Sequence, residues 1–325
     1  PLAADAGNML GSWSFTGLPK DVVTILAGIQ SAVSEQSEVL YAPGCTNSAK
    51  DPADFSQAVA AASQADVLIA VVGETSAMSG EASSRVDLGL PAPQDDLLEA
   101  LFATGKPLVV VLINGRPLAL PWLAGHAAAI LEAWQPGVQA GPAVADVLFG
   151  DYNPSAKLAA TFPYTAGQVP LYYNHPSTGR PPGDFKFTSK YIDGPVTPLF
   201  PFGFGLSYTT FSYADLEITP AEVEAEGKLT VSASITNTGM VFGEEVVQLY
   251  IADLVASRVR PVRELKGFQK IAIAPGETRR VTFDLPAATL GFFDQEMQYV
   301  VEPGQFKVWV GPNSHEGLAG EFRVQ

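Results

Sequence analysis

Residues 67–94 read VLIAVVGETSAMSGEASSRVDLGLPAPQ, and the start of this stretch decides the fold. Val67–Val72 is an unbroken apolar run rich in β-branched residues, and Gly73 ends it. Such a short apolar run is typical of a parallel strand that is buried on both faces. Two carboxylates follow it, Glu74 and then Glu81, which lies among small polar residues. Because ligands of open α/β sheets bind beyond the carboxyl ends of the strands, both acids are candidate catalytic groups. The alternative is that one or both are solvated loop charges or helix-capping acids.

Strands and helices alternate on both sides of this run. Apolar residues at helical spacing predict helices, and continuous apolar runs predict further strands. Alternation of this kind predicts a doubly wound, mostly parallel sheet with helices on both faces, an α/β sandwich over residues 1–160. The predicted helices span 22–33, 54–65, about 91–105 and 140–149, and the predicted strands span 39–42, 67–72, 108–113 and 127–133.

The second half of the chain has a different pattern. Residues 161–212 are rich in Pro, Gly and aromatic residues without periodicity, which predicts a connecting segment packed over the domains. From about 213 to 325 short runs alternate apolar and polar residues between Gly and Pro turns, which predicts an antiparallel β-sandwich. The predicted strands lie at 229–235, 246–251, 264–273, 280–285, 299–301 and 306–310.

Composition limits the function classes. The net charge of −15 and the lack of a basic cluster argue against nucleic acid and anionic membranes as partners. The single Cys45 excludes an internal disulfide and a cysteine-based zinc site, and three scattered histidines lack metal-ligand spacing. A chain that starts with Pro1 rather than Met, without a targeting signal, predicts a fragment or cleaved piece whose first strand lies upstream.

Distinctive motifs recur along the whole chain. They are VVGE at 71–74, EASSR at 81–85, LP at 90–91 with Gln94, AWQPG at 133–137, ADVLFGDYNPS at 145–155, KL at 157–158, TFP at 161–163 and FPFGFGLSYTTF at 200–211. Together they resemble family 3 of the glycoside hydrolases, the β-glucosidase and β-xylosidase family. The chain looks most like the C-terminal half of its bacterial, periplasmic-type members.

This resemblance implies an α/β sandwich followed by a fibronectin type III-like domain, in agreement with the patterns above. It implies a retaining, exo-acting hydrolase of β-glucosides or cello-oligosaccharides that needs no metal or organic cofactor. It also implies that a preceding TIM-like barrel supplies the Asp nucleophile, so no residue of this chain takes that role. A periplasmic or secreted location is implied too, and a homodimer is left open.

Two carboxylates are candidates for the acid/base of such an enzyme. Retaining glycosidases use a nucleophile and an acid/base that lie about 5–5.5 Å apart. In many members of the family the acid comes from a loop of the α/β sandwich. Glu81 is therefore the first candidate, and Glu74, which adjoins the strand end, is the second and is expected to orient loop groups.

Two further residues are candidates for substrate binding. Arg85 could pair with Glu81, which would weaken that residue as a proton donor, or with Asp87 to hold the loop. Trp134 could stack on a sugar ring or be an ordinary core residue at a strand end. The aromatic motif at 200–211 predicts packing between domains rather than catalysis.

Two functions remain open, and a third is excluded. The first is half of a β-glucosidase, inactive without its barrel, with a β-xylosidase of the same family as a variant. The second is a non-catalytic carbohydrate-binding or structural fragment. An esterase-like hydrolase is excluded because the chain lacks a Gly-x-Ser-x-Gly elbow with a histidine partner.

Overall fold

A computed structural model of the chain describes residues 2–46 and 54–325. The contacts divide the chain into two compact units. The first unit runs to Tyr152 and includes Pro163–Val169, and the second comprises Asn153–Phe162 and Pro170–Gln325. The domain limits at 160 and 212 that the sequence suggested stay a prediction.

The first unit contains short helices and a small parallel sheet. Its α-helices are α1 (Ala6–Leu10), α2 (Ile25–Ala32), α3 (Ser56–Gln64), α4 (Gln94–Phe102), α5 (Pro121–His126) and α6 (Ala140–Phe149). Its strands are β1 (Leu68–Gly73), β2 (Leu108–Ile113) and β3 (Ala129–Glu132). Single 3-10 turns lie at Leu2–Ala4, Pro19–Asp21, Ser76–Met78 and Ala166–Gln168.

The sheet has the strand order β1-β2-β3, and both pairings are parallel. On one face, Val71 and Val111 pack in a cluster with Ile25 of α2 and Val144 of α6. Alternate strand residues such as Val72 point to the other face. Helix α4 lies against β1, and its leucines are buried. The predicted α/β fold with a parallel sheet is therefore confirmed.

One predicted strand of this unit is wrong. Residues 39–42 form no strand, although Val39 packs at the edge of the apolar cluster. A cavity of about 610 Å³ is lined by 36–44 on one side and by β1 on the other. A strand needs a partner backbone about 4.8 Å away, and among the described residues β1 pairs with β2 and not with this segment. Helix α5, which the sequence did not predict, is too short to show a periodic pattern.

Helices α2 and α6 cross at two glycines. A Cβ atom on Gly28 would lie 2.2 Å from the carbonyl carbon of Gly141, and one on Gly141 would lie 2.3 Å from the carbonyl oxygen of Thr24. Neither distance is sterically allowed without a backbone shift. The absence of side chains at these two positions therefore sets the separation of the two helices.

We expect Gly28→Ala to lower the free energy of unfolding. Alanine favours a helix by about 1 kcal/mol over glycine, but the new methyl group meets backbone atoms that cannot rotate away. The expected net loss is about 1–3 kcal/mol, measured by thermal unfolding followed by circular dichroism. The control is Gly125→Ala in α5, where nothing lies within 4 Å of the added methyl group. Equal stabilities of the two variants would contradict this account.

The second unit is built from strands. They are β4 (Phe211–Thr219), β5 (Glu222–Val223), β6 (Lys228–Asn237), β7 (Gly243–Asp253), β8 (Glu264–Ile273), β9 (Thr278–Pro286), β10 (Phe292–Phe293), β11 (Tyr299–Val300), β12 (Gly304–Gly311) and β13 (Leu318–Val324), with a 3-10 turn at Ala287–Leu290. A five-stranded sheet, β5-β13-β12-β7-β8, and a three-stranded sheet, β4-β6-β9, share one apolar core. The predicted β-sandwich is confirmed.

Two long strands of the sandwich, β4 and β13, were not predicted. In β4 the register shifts between Ala214 and Glu217, and Asp215 has a left-handed backbone with φ 52°. A bulge of this kind interrupts the period of two. Strand β13 contains Gly320, which lacks a side chain for the pattern. These local features explain why β4 and β13 were missed.

The aromatic motif at 200–211 packs inside the second unit. The ring of Phe202 stacks on Tyr173 with centroids 4.3 Å apart, and Phe200 stacks on Phe204 at 5.3 Å. The backbone of Phe200 also pairs with that of Phe162. The ring of Tyr173 also contacts Tyr250 of β7, with centroids 5.8 Å apart, which joins this irregular segment to the sandwich.

Candidate active site

The carboxylate of Glu74 is the buried centre of the candidate site. Glu74 directly follows β1 and is 2% exposed. Its oxygens accept hydrogen bonds from Arg85 at 2.9 Å, from Nε of Arg116 at 3.2 Å and from the backbone N–H of Gly115 at 3.2 Å. The same Nε of Arg116 lies 2.9 Å from the other carboxylate oxygen, as an ion pair. This carboxylate has charged partners on two sides, so its geometry is fixed.

The same two arginines hold the loop that follows β1. Arg116 donates to the carbonyl oxygens of Met78 and Ser83, the latter at 2.7 Å. Arg85 donates to the carbonyl oxygen of Gly89 at 3.1 Å. Arg85 thus pairs with Glu74 rather than with Glu81 or Asp87, the two partners that the sequence offered. The loop is fastened through its backbone, on either side of Glu81.

Glu81 lies between Met78 and Ser83, whose carbonyl oxygens Arg116 binds, and its side chain is exposed. Among the residues that the structure describes, none forms an ion pair or hydrogen bond with its carboxylate. Its neighbours Gly80 and Ala82 both have positive φ angles, 105° and 58°. Such angles are uncommon for alanine, so the backbone turns sharply at Glu81 and presents the side chain outwards. The loop is braced while its acid is unpartnered.

Close backbone contacts pack the loop against its neighbours. A Cβ atom on Gly115 would lie 1.8 Å from the hydroxyl of Ser79, and one on Gly80 would lie 2.8 Å from the hydroxyl of Ser12. The backbone N–H of Ser76 donates to Asn8 at 2.7 Å. The loop is therefore supported by the α1 segment and by the turn after β2.

The turns after β2 and β3 meet through one further carboxylate. Glu132 accepts hydrogen bonds from the backbone N–H of Trp134 at 2.8 Å and from the side chain of Asn114 at 3.2 Å. Burial raises the pKa of Glu132 to about 7, although both hydrogen bonds act to lower it. The backbone N–H of Asn114 donates to the carbonyl oxygen of Trp134, and that of the next residue, Gly115, donates to Glu74. Trp134, which is partly exposed, therefore lies at the same edge of the sheet as Glu74.

The sequence analysis missed Arg116 and Glu132. A signal for Arg116 was present, because Asn114–Pro117 directly follows the buried strand β2. The carboxyl ends of neighbouring parallel strands lie at one edge of the sheet, so this turn had to lie near Glu74. Glu132 had no such signal, since a single acid at the end of a short strand is common.

Neither a metal centre nor a membrane helix is found in the described part of the chain. Across residues 2–46 and 54–325 no three or more His, Cys, Asp or Glu side chains are grouped to hold a metal ion. In the same ranges no helix has the length and apolar character needed to cross a membrane.

Two protein families match the chain. The glycosyl hydrolase family 3 C-terminal domain matches residues 2–208, and the fibronectin type III-like domain matches residues 245–314. The second match agrees with the sandwich of β4–β13 and confirms its predicted type.

Two relatives that match nearly the whole chain are named as a beta-glucosidase and a beta-xylosidase. The chain is 47% identical to a periplasmic beta-glucosidase of Salmonella typhimurium, over 100% of this chain and 45% of that protein. It is 44% identical to a beta-xylosidase of Formosa agariphila, over 94% of this chain and 42% of that protein. The chain thus spans less than half the length of these relatives.

Solved structures give the same result. The crystal structure of a beta-glucosidase from Listeria innocua in complex with gluconolactone superimposes with a TM-score of 0.91 at 38% sequence identity, covering 99% of this chain and 45% of that one. A b-glucosidase from Erythrobacter marinus superimposes with a TM-score of 0.89 at 38% identity. Family match, relatives and fold agree, and the chain belongs to glycosyl hydrolase family 3 as a C-terminal α/β domain followed by a fibronectin type III-like domain.

Proposed function

We propose that this chain is the C-terminal portion of a retaining, exo-acting β-glucosidase that hydrolyses terminal β-D-glucosyl residues. Glu81 is the general acid/base, and a TIM-like barrel of the same enzyme supplies the Asp nucleophile. The substrates are β-glucosides or cello-oligosaccharides, the reaction needs no metal or organic cofactor, and the enzyme is periplasmic or secreted. The names of the Salmonella and Listeria proteins support the glucoside, and the location follows the Salmonella protein's name.

The observation that carries this proposal is the contrast between the two carboxylates of the loop. Glu74 is buried and held by Arg85 and Arg116, whereas Glu81 is exposed on a loop that the same arginines fasten. A proton donor must reach the glycosidic oxygen of a bound sugar, which an exposed carboxylate can do. Glu74, the second candidate, braces the loop instead.

The chemistry assigned to Glu81 has two steps. As an acid, it protonates the departing glycosidic oxygen while the barrel's Asp attacks the anomeric carbon. As a base, it then takes a proton from the water that hydrolyses the glycosyl-enzyme. Both steps need the carboxyl about 5–5.5 Å from the nucleophile, so the loop must keep a fixed shape. The arginine contacts at Ser83 and Gly89 supply that rigidity.

Arg85 and Trp134 remain the proposed substrate-binding residues of the chain. Trp134 is partly exposed beside the site, as a side chain that stacks on a sugar ring requires. Arg85 already binds Glu74 and Gly89, so its influence on the sugar acts through the loop. The second candidate function is a β-xylosidase, favoured by the name of the Formosa relative. Comparison of kcat/KM for p-nitrophenyl β-glucoside and β-xyloside by the full-length enzyme decides between them.

Residues 1–325 alone are expected not to hydrolyse p-nitrophenyl β-glucoside. The reason is that the proposed nucleophile lies on the barrel, and an acid/base without a nucleophile cannot form the glycosyl-enzyme. The measurement is nitrophenol release by the purified chain, with the full-length enzyme as the positive control. Turnover by the chain that survives removal of host glycosidases would refute this division of labour. If the full-length enzyme also fails, the chain belongs to a non-catalytic carbohydrate-binding or structural protein.

A further inference from the structure

Glu132 joins two turns at the edge of the candidate site. One carboxylate oxygen accepts the backbone N–H of Trp134, which has a left-handed φ of 50°. The other accepts Nδ2 of Asn114, and the backbone N–H of Asn114 donates to the carbonyl oxygen of Trp134 at 3.1 Å. Glu132 and Asn114 therefore hold the Trp134 turn by both its donor and its acceptor.

The connection continues to the loop of Glu81. Nδ2 of Asn114 also donates to the carbonyl oxygen of Arg116 at 2.9 Å. The guanidinium of Arg116 binds Glu74 and the carbonyl oxygen of Ser83. Glu132 is thus linked to the Glu81 loop by hydrogen bonds through Asn114 and then Arg116. Asn114 is 1% exposed, so water does not compete for these bonds.

Keeping a carboxylate at this position costs stability. The pKa of Glu132 is raised to about 7 by burial, from an ordinary value of 4.5. The folded chain therefore binds this proton more tightly than the unfolded chain. The resulting stabilisation is complete below pH 4.5 and is lost as the pH rises through 7. A group that is unfavourable when ionised is commonly kept for function.

We propose that Glu132 is a positioning residue, which in its ionised form fixes Trp134 and, through Asn114 and Arg116, the loop that carries Glu81. Ionised Glu132 offers acceptors to both N–H groups at once. A protonated carboxyl turns one oxygen into a donor that faces the Asn114 amide. If that amide rotates to accept the new proton, it presents oxygen to the Arg116 carbonyl and the link to Arg116 breaks.

The raised pKa of Glu132 comes from burial and not from a neighbouring charge. Across the strand pair it faces Leu112 of β2, which is uncharged. The turn after β2 contributes Asn114, and the charged Arg116 in the same turn is paired with Glu74. Among the described residues, no neighbouring charge contributes to the raised pKa of Glu132, only burial opposed by two hydrogen bonds.

The test uses residues 1–325 labelled with 5-fluorotryptophan and followed by fluorine NMR. The four tryptophan signals are assigned with single Trp→Phe variants. We expect the Trp134 signal to shift with a midpoint near pH 7. In Glu132→Gln it should stay at its low-pH position at every pH, because glutamine keeps the acceptor for the Trp134 N–H but cannot ionise.

Trp122 of α5 provides the control, because its indole stacks on His126 with centroids 4.5 Å apart and takes no part in the hydrogen bonds of Glu132 that are described above. Glu132→Gln should change the pH response of the Trp134 signal and leave that of the Trp122 signal as in the unmodified chain. A Trp134 signal that is flat in the unmodified chain, or that still titrates in Glu132→Gln, would overturn the proposal.

A second readout rests on the proposed function. In the full-length enzyme, Glu132→Gln should lower kcat about tenfold near pH 8, since misplacing a catalytic group costs up to about 10²-fold. Below pH 6 the variant and the unmodified enzyme should agree, because Glu132 of the unmodified enzyme is then mostly protonated and, like glutamine, uncharged. KM should change little. Equal kcat at pH 8 would overturn the link to the Glu81 loop, whereas an inactive parent enzyme would refute the proposed function and leave the NMR test intact.

Discussion

Replacing Glu81 with alanine in the full-length enzyme is expected to slow the hydrolysis of cellobiose by about 10²–10⁴-fold, the usual contribution of general acid–base catalysis. Cellobiose has a poor leaving group, a sugar hydroxyl, so its departure depends on a proton from the enzyme. Glu81 is the exposed carboxylate of a loop whose backbone is fastened at Ser83 and Gly89. The measurement is kcat/KM for cellobiose.

The leaving group and an added nucleophile make this prediction specific. Dinitrophenyl β-glucoside releases dinitrophenolate, a stable anion that departs without protonation. Its glycosylation step should therefore be affected far less than that of cellobiose. The deglycosylation step still lacks its base, and azide, which attacks without giving up a proton, should restore turnover as β-glucosyl azide. The matched control is Glu99→Ala, which removes an exposed glutamate from α4. Near-normal cellobiose turnover by Glu81→Ala would assign the acid to another residue.

Replacing Glu74 with alanine is expected to destabilise the first unit by about 3–5 kcal/mol, the cost of breaking a buried ion pair by removing one partner. Glu74 is 2% exposed, and the side chains of Arg85 and Arg116 are 18% and 20% exposed. Both arginines would lose their charged acceptor, and the loop would lose the residue that aligns them. Urea unfolding followed by tryptophan fluorescence measures the loss.

Two comparisons separate this role from catalysis. Lys228→Ala breaks an ion pair with Asp284 in which both side chains are more than half exposed, and it should cost no more than about 1 kcal/mol. Azide should not rescue Glu74→Ala, because that variant still contains Glu81, the proposed acid/base. A β-glucosyl azide product from Glu74→Ala would exchange the roles of Glu74 and Glu81, and a loss of stability no larger than that of Lys228→Ala would refute the bracing role.

The sheet could be predicted because its strands are encoded locally. Leu108–Ile113 was found to the residue, and Val67–Val72 differs by one residue from β1. A strand that is buried on both faces must be apolar at every position, so the run itself shows the strand. The strand expected at 39–42 has the same local character, but strand formation also needs a partner edge, which no local pattern reports.

The candidate site could be predicted only in part. The position of Glu74 and Glu81 beyond a buried strand followed from the order of residues, as did the general location of the site. The partner of Arg85 did not, because the sequence offered the nearby Glu81 and Asp87. In the folded chain Arg85 instead reaches back to Glu74, which is eleven positions away.

By itself, the sequence determined the parallel strands β1 and β2, the presence of a β-sandwich in the second half of the chain and the family, since apolar periodicity and short motifs depend only on neighbouring residues. The tertiary structure decided that Glu74 is held by two arginines and that Glu81 has no hydrogen-bond or ion-pair partner among the described residues. Glu74 meets Arg116, forty-two residues away, because the crossover from β1 to β2 returns the chain to the same sheet edge. Glu132 acquires its raised pKa in the same way, since burial and the Asn114 and Trp134 donors exist only after the strands have paired.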